Sequence, residues 1–186
     1  MRHQNSLKMA TALGLLCLLA NTFNVAAQTG DTKSKELSAA NALADAALNA
    51  KTIDEKEKAA VDLAASSASD ATEALLRVLD KSKESEVLVA VIDSLGNRAG
   101  NQKDIKARDC MPKLVEILAD EKGKLQTDDN DKIKRLRARA YLAIVRITGA
   151  DYGWDVEKDQ SGEDQMLKLK ETLEVAKFYI AHPPPK

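Results

Sequence analysis

Cysteine and histidine are scarce in this 186-residue chain, which contains two of each. Cys17 and His3 belong to an N-terminal segment that we expect to be removed, which leaves Cys110 and His182. Zinc and iron sites are usually built from several thiolates and imidazoles brought together. One thiol and one imidazole are too few, so we expect no metal centre of this kind and no internal disulfide.

Sequence signatures of catalysis and of cofactor binding are also missing. No nucleophile stands in a recognisable set with a base and an orienting group. No glycine-rich segment follows a strand pattern, as phosphate-binding loops do. The acidic stretch 155–159 departs from a calcium loop, because Gln160 and Met166 occupy the places of its glycine and its bidentate glutamate. We therefore expect no enzyme activity, no cofactor and no bound metal.

Carboxylates are the one catalytic group that is plentiful, with 29 Asp and Glu. A periplasmic hydrolase that uses paired carboxylates is therefore the alternative from the enzyme class. It requires two acids that converge in a cleft, one of them with a raised pKa. The sequence carries no sign of such a pair.

Long apolar segments are absent, apart from a run of about eleven residues at 10–20. That run is too short to cross a bilayer as a helix. Arg2 and Lys8 precede it, and the small residues Val-Ala-Ala follow at 25–27. A basic end, a short apolar core and a small-residue site are typical of a secretory signal peptide. We expect cleavage after Ala27 and export to the periplasm or the extracellular space, without membrane insertion afterwards.

Charge of one sign does not predominate. The 28 Lys and Arg and 29 Asp and Glu give a net charge of −1, and loss of Arg2 and Lys8 with the signal peptide brings it to −3. This balance argues against general affinity for nucleic acid or for an anionic membrane surface. A lipid-binding surface on the Ala-rich segment 36–50 is a further alternative, but that segment lacks a bulky apolar face with Trp or Phe.

Helical spacing fills the rest of the chain, and strand patterns are nearly absent. Thr52 and Glu55 fit a capping box, and Asp70 and Asp109 are predicted to cap the helices that follow them. Gly96 and Gly149 are predicted to end helices, as glycine in the left-handed conformation often does. Segment 97–108 is predicted to be a linker, and 120–131 a polar loop.

The predicted apolar positions, in chain order, are Leu37, Leu43, Ala47, Leu48, Leu75, Leu76, Val78, Leu79, Val87, Leu88, Val91, Ile92, Leu95, Leu114, Val115, Ile117, Leu118, Ile133, Leu136, Ala140, Ala143, Ile144, Ile147, Met166, Leu169, Leu173, Ala176 and Ile180.

Two of the predicted helix pairs repeat each other. The segment 70–79 matches 109–118 at an offset of 39 residues, and 87–95 matches 136–144 at an offset of 49, so the ten additional residues fall in the loop. A unit of about forty residues with two helices is typical of stacked helical repeats. On the residues Leu75-Leu76-Arg77-Val78-Leu79, 87–96, 112–118 and 136–147, the chain resembles HEAT-like repeat proteins. Segment 147–155 is similar to the end motif of the exported bacterial type.

The resemblance implies an all-α fold, a short right-handed α-solenoid of about three HEAT-like helix pairs with a C-terminal cap helix. The expected organisation is a signal peptide at 1–27, a flexible N-terminus of the mature chain at 28–34, a repeat domain at 35–181 and a Pro-rich tail at 182–186. It also implies a role in binding or scaffolding another protein, whose identity the sequence does not reveal.

Two sets of residues are candidates for partner binding. Lys132, Arg135, Arg139 and Arg146 fall within about 60° on one helix face, at 100° per residue. They can meet an anionic partner, or they can pair with the acidic loop or with a neighbouring helix. Tyr152 and Trp154 lie in a late aromatic cluster, which can anchor a partner or close the end of the helical stack. Cys110 can be a small buried residue or can pair between chains.

Overall fold

The computed structural model describes residues 39–100, 104–119, 130–158 and 160–183. These ranges form an all-α structure in which no residue lies in a strand. Residues 39–49 are helical and are called α1. The other helices are α2 (Ile53–Ala65), α3 (Ala71–Lys81), α4 (Ser85–Gly100), a 3₁₀ helix η1 (Ile105–Cys110), α5 (Met111–Ala119), α6 (Asn130–Thr148) and α7 (Glu163–Ala181). The predicted signal peptide, the segment 28–34, Leu37 and most of the predicted loop 120–131 lie outside the described residues.

A local side-chain cap explains where α2 begins, but not where α3 begins. At the start of α2 the Thr52 hydroxyl accepts from the Glu55 amide at 3.2 Å, and the Glu55 carboxylate accepts from the Thr52 amide at 3.3 Å. The predicted capping box is thus confirmed. The predicted side-chain cap at Asp70 is wrong, although Asp70 does precede α3. Its carboxylate instead accepts from the Asn41 amide group of α1 at 3.1 Å, a contact that no local pattern reveals.

Helix α4 continues past the end predicted for it at Gly96. A Cβ atom added to Gly96 would lie 2.8 Å from the Ala143 Cβ, and one added to Gly100 would lie 2.7 Å from the Arg146 carbonyl oxygen. Both glycines therefore serve close packing of α4 against α6. The prediction of a helix end failed because glycine inside a helix and glycine after one have the same local sequence signal.

The described part of the predicted linker 97–108 is helical at 97–100 and 105–108, which is a second correction. Asp104 precedes η1, and its carboxylate accepts from the Lys106 amide at 3.1 Å. Asp109, predicted to cap the next helix, lies inside η1. Helix α5 follows at Met111 without an intervening loop, so its start needs no Asp109 cap, and Pro112 lies in its first turn as predicted.

The helices pack in a consistent order. Helix α4 contacts α2 on one side and α6 on the other, while α3 and η1 pack against it from behind. Helix α5 contacts η1, α6 and α7. Paired positions advance in the same direction along α4 and α6, from Glu86 with Lys132 to Asp93 with Arg139. The two helices are therefore parallel.

Helices α2 and α4 are also parallel to each other. Lys56 contacts Glu84 just before α4, and the Ala64 carbonyl oxygen accepts from Ser94 further along. Helices α2, α4 and α6 thus lie side by side and run in one direction. We call them the parallel row.

The core lies behind the parallel row and follows the predicted apolar positions closely. Among the predicted positions on α3 to α6, Leu76, Val115 and Ile133 are half-buried, and the remainder are buried. The buried positions of α1 are alanines, Ala40, Ala44 and Ala47, which permit a close approach to its neighbours. Cys110 is buried as well, and burial raises the pKa of its thiol to about 12. The hypothesis that it is a small core residue is therefore supported.

The predicted inward stripe of α7 is correct in its middle and wrong at its ends: Ala176 is buried, and Leu169 and Leu173 are half-buried against the core. Gln165, Thr172 and Ala176 are its buried residues. Met166 and Ile180, predicted to face inward, are 58% and 40% exposed. The error arose because two polar residues occupy the buried stripe: the Gln165 side chain accepts from the Asp155 amide at 2.9 Å, and the Thr172 hydroxyl donates to the Lys168 carbonyl oxygen. No helix within the described ranges combines the length and apolar character needed to cross a bilayer.

Candidate functional site

Helix α6 presents a buried apolar face and a charged face next to it. Leu136, Ala140, Ala143 and Ile144 are buried against the core. The side chains of Lys132, Arg135, Arg139 and Arg146 follow the adjacent face as predicted, since three- and four-residue steps keep positions on one side of a helix. We call these four residues the cationic row.

Three members of the cationic row form ion pairs with α4. Lys132 Nζ lies 3.0 Å from a Glu86 carboxylate oxygen. Arg139 and Arg146 both pair with Asp93, at 3.2 Å and 3.6 Å. Of the alternatives open at the level of sequence, pairing with a neighbouring helix is therefore present for these three residues. The acidic loop is largely outside the described residues.

The arginines of the cationic row are incompletely paired within the described residues. Arg135 is exposed and has no hydrogen bond or ion pair within the described residues. Arg139 and Arg146 share one carboxylate. Within the described residues, the three arginines of the row therefore have one carboxylate partner among them, Asp93. Each guanidinium has five N–H donors, so two arginines on one carboxylate retain donors for a further anion.

The facing acids lie on a regular stripe of α4. Glu86, Ala90, Asp93 and Asn97 follow one another at steps of four, three and four, which places them on one side of the helix. Hydrogen bonds from Ser85 and Lys132 lower the pKa of the Glu86 carboxyl below its ordinary value. Glu86 therefore stays charged and keeps Lys132 neutralised.

A groove runs between α2 and α4, beside the Asp93 carboxylate. Its volume is about 490 Å³, and Val61, Ala64 and Ala90 form its apolar wall. Val61 is 51% exposed. Asp93 lines the groove and also pairs with Arg139 and Arg146, so the two arginines lie one ion pair away from the groove lining. We call this the α2–α4 groove.

Arg98 closes the far end of this groove and has a structural role. Its guanidinium donates to the Ala64 and Ser66 carbonyl oxygens at the C-terminus of α2, at 3.4 and 2.5 Å. Helix α2 has no basic residue in its last turn, so Arg98 supplies from α4 the cation that a helix C-terminus favours. The Thr72 hydroxyl accepts from Arg98 and donates to the Asp104 carboxylate. These three residues line a second groove, whose volume is about 440 Å³.

Trp154, one of the two aromatic candidates, packs against α6. Trp154 is 4% exposed, which excludes it as an accessible anchor in this conformation. Its ring centroid lies 5.4 Å from that of Tyr141, and the Arg137 guanidinium lies over it at 5.3 Å. The Trp154 indole N–H donates to Gln160 at 2.9 Å. Tyr152, the other aromatic candidate, is half-buried.

Tyr141 organises the loop that carries Trp154. Its hydroxyl accepts from the amides of Gly153 and Trp154, at 3.0 and 3.2 Å, and donates to the Asp151 carboxylate. Burial and the bond to Asp151 raise the pKa of Tyr141, and the hydrogen bonds from Tyr141 and the Gly153 amide lower the pKa of Asp151. Both pKa shifts follow from the burial of Tyr141 and from the hydrogen bonds between Tyr141 and this loop.

The grouping of titratable side chains limits the chemistry of the described part of the chain. No group of three or more His, Cys, Asp or Glu that can hold a metal ion occurs there. Each of the two grooves contains one carboxylate, Asp93 in the first and Asp104 in the second. Within the described residues, neither groove therefore brings two acids together.

Residues that the sequence analysis missed are Asp93, Val61 and Ala90. A signal for Asp93 is present in the spacing: Glu86 and Asp93 are seven residues apart, as are Lys132 and Arg139. Two parallel helices with charges at equal spacing can pair in register. Val61 and Ala90 carry no such signal, because single apolar residues at a helix surface are common.

No protein-family model, curated protein or solved structure matches this chain.

Proposed function

We propose that this chain is an exported, non-catalytic HEAT-like repeat protein that binds or scaffolds another protein through the face of α6. The single observation that carries the binding role is the group of arginines in the cationic row: within the described residues Arg135 is exposed and without a partner, and Arg139 and Arg146 share the Asp93 carboxylate. A partner that places carboxylates on this row would complete its charge pairing.

The repeat architecture is supported by the direction of the helices. The parallel row alternates in the chain with α1, α3, α5 and α7, so each helix pair returns the chain to the same direction. The positions 75, 78 and 79 and their counterparts 114, 117 and 118 at the offset of 39 are all buried. We infer a short right-handed solenoid of three helix pairs, α1–α2, α3–α4 and α5–α6, closed by α7 as a cap.

The non-catalytic assignment draws support from three described acids whose carboxyl pKa is shifted. Hydrogen bonds, with Ser85, Tyr141 and Lys168 as the main donors, lower the pKa of Glu86, Asp151 and Asp164 respectively. A carboxylate-dependent hydrolase needs a shift in the opposite direction for its general acid. Export to the periplasm or the extracellular space is proposed from residues 1–27, which have a basic end, a short apolar run and a small-residue cleavage site.

Chemical cross-linking in the native host, followed by affinity capture and mass spectrometry, tests the binding role. The variant Arg135→Glu is the first probe, because Arg135 has no ion pair within the described residues; Arg135→Glu with Arg139→Glu is the second. The matched control reverses Lys81 and Lys170, two exposed lysines on α3 and α7. We expect a cross-linked protein that is recovered with the wild type and the control and depleted with both α6 variants. Equal recovery from all four proteins would contradict a binding role for this face.

A further inference from the structure

We propose that the α2–α4 groove binds an extended acidic peptide segment, with a ligand carboxylate held by Arg139 and Arg146 and a neighbouring apolar side chain against Val61 and Ala90. This inference rests on the proposed binding function and assigns to it a site and a chemical class of ligand.

The two arginines provide the anion site. Within the described residues their ion-pair partner is Asp93, at 3.2 Å from Arg139 and 3.6 Å from Arg146. The two side chains are 39% and 38% exposed, so each guanidinium retains donors that face solvent. Arginine binds carboxylates through two parallel hydrogen bonds when its planar fork is accessible. A second carboxylate therefore fits beside Asp93.

One oxygen of the Asp93 carboxylate lacks a hydrogen-bond donor within the described residues. Its Oδ1 atom is buried and accepts no hydrogen bond, although Arg146 lies 3.6 Å away. The arginine pair thus carries one more positive charge than its internal partner neutralises. Asp93 holds the two arginines together at the groove, and it also repels an incoming anion.

The apolar wall makes a peptide the better fit among anions. Val61 leaves 51% of its surface in solvent, and it lines the groove with Ala64 and Ala90. A free phosphate or a nucleic-acid backbone would leave this wall uncovered. A peptide that alternates acidic and apolar residues covers both parts of the site, because alternate side chains of an extended chain project to opposite sides.

Fluorescence anisotropy with a labelled peptide of alternating Glu and Leu tests the proposal at low ionic strength. The protein is expressed from the full reading frame. We expect binding that weakens as salt is raised. We also expect a loss of about tenfold in affinity in Arg139→Gln or Arg146→Gln, the size of a charge-assisted hydrogen bond. Lys170→Gln, an exposed lysine on α7, is the matched control and should bind like the wild type.

Two further variants separate binding from folding. Asp93→Asn removes the internal competitor and should raise affinity, whereas a purely structural role for Asp93 would lower it or leave it unchanged. Val61→Asp should lower affinity, while Ile53→Asp, at an equally exposed apolar position on the same helix, should not.

Several results would overturn the inference. These are no binding of the Glu-Leu peptide, equal binding of a Lys-Leu peptide, no effect of the arginine variants, or tighter binding of a single-stranded oligonucleotide. A partner captured by cross-linking at Arg135, but insensitive to Arg139→Gln, Arg146→Gln and Val61→Asp, would overturn the groove assignment and leave the proposed function standing. Failure to capture any partner, with the peptide still bound, would count against the proposed function alone.

Discussion

At the scale of single residues, the Tyr141 hydroxyl connects α6 to the loop that follows it through three hydrogen bonds. It accepts two backbone N–H groups and donates to Asp151. The Trp154 amide lies in a buried environment, so loss of its acceptor leaves a donor without a partner. The loop was predictable from the sequence, but the hydrogen bonds of Tyr141 were not. Tyr141 lies on α6, and its partners follow ten or more residues later in the chain.

Tyr141→Phe should lower the free energy of unfolding by about 1–3 kcal/mol, the cost of an unsatisfied buried donor. Tyr152→Phe is the matched control, because the Tyr152 hydroxyl has no hydrogen bond within the described residues; we expect a change within about 0.5 kcal/mol. Urea-induced unfolding followed by circular dichroism measures both. Equal stabilities of the two variants would contradict the account of this loop.

Cys110 gives a second residue-scale prediction. Burial raises the pKa of its thiol to about 12, and the thiolate is the reactive form, so the folded protein should be alkylated slowly near the ordinary thiol pKa of about 8.5. Thiol titration of the exported product should reveal one reactive group after denaturation, because Cys17 is expected to leave with the signal peptide. Rapid labelling of the folded protein would show that Cys110 is accessible, and a second thiol would contradict cleavage.

At the scale of helices, Arg98 joins α4 to the C-terminus of α2. Arg98→Met removes the cation that contacts the Ala64 and Ser66 carbonyl oxygens. We expect it to lower the free energy of unfolding by about 1–3 kcal/mol, as for hydrogen bonds to charged groups. Arg135→Met, an exposed arginine without partners within the described residues, should change it by less than about 0.5 kcal/mol. Similar unfolding midpoints for the two variants would refute the role of Arg98.

The contact between α4 and α6 depends on Gly96. Gly96→Ala should destabilise the protein by about 1–3 kcal/mol, because the added Cβ would lie 2.8 Å from the Ala143 Cβ. Helix propensity alone predicts the opposite sign, a gain of about 1 kcal/mol. Combining it with Ala143→Gly should recover part of the loss in a double-mutant cycle. A stabilised Gly96→Ala variant would mean that the helices are not in close contact there.

Helices were predictable where the information is local. The Thr52 capping box, Pro112 in the first turn of α5 and Gly149 after α6 follow from residues a few positions apart. Gly96 and Asp109 were assigned wrongly because each fits two local roles, and contacts from distant segments decide between them. Gly96 packs on α6, and the start of η1 at Asp104 places Asp109 inside a 3₁₀ helix.

At the scale of the whole molecule, the all-α class and the positions of the cationic row were predictable, since both follow from helical periodicity. The partners of that row were not, because pairing of Asp93 with Arg139 and Arg146 requires the relative position of two helices far apart in the chain. The burial of Trp154 likewise depends on Arg137 and Tyr141 of α6. Sequence periodicity gives faces of helices, and packing decides which of those faces remain available to a partner.

Site-specific photo-cross-linking in the native host tests the binding role most directly. A photoreactive amino acid is placed at position 135 on the cationic row and, in separate strains, at the exposed positions 81 on α3 and 170 on α7. The account predicts a discrete adduct with one protein from position 135, and none from the two control positions. Adducts of the same protein at all three positions, or none at position 135, would contradict the claim that this face of α6 binds a partner.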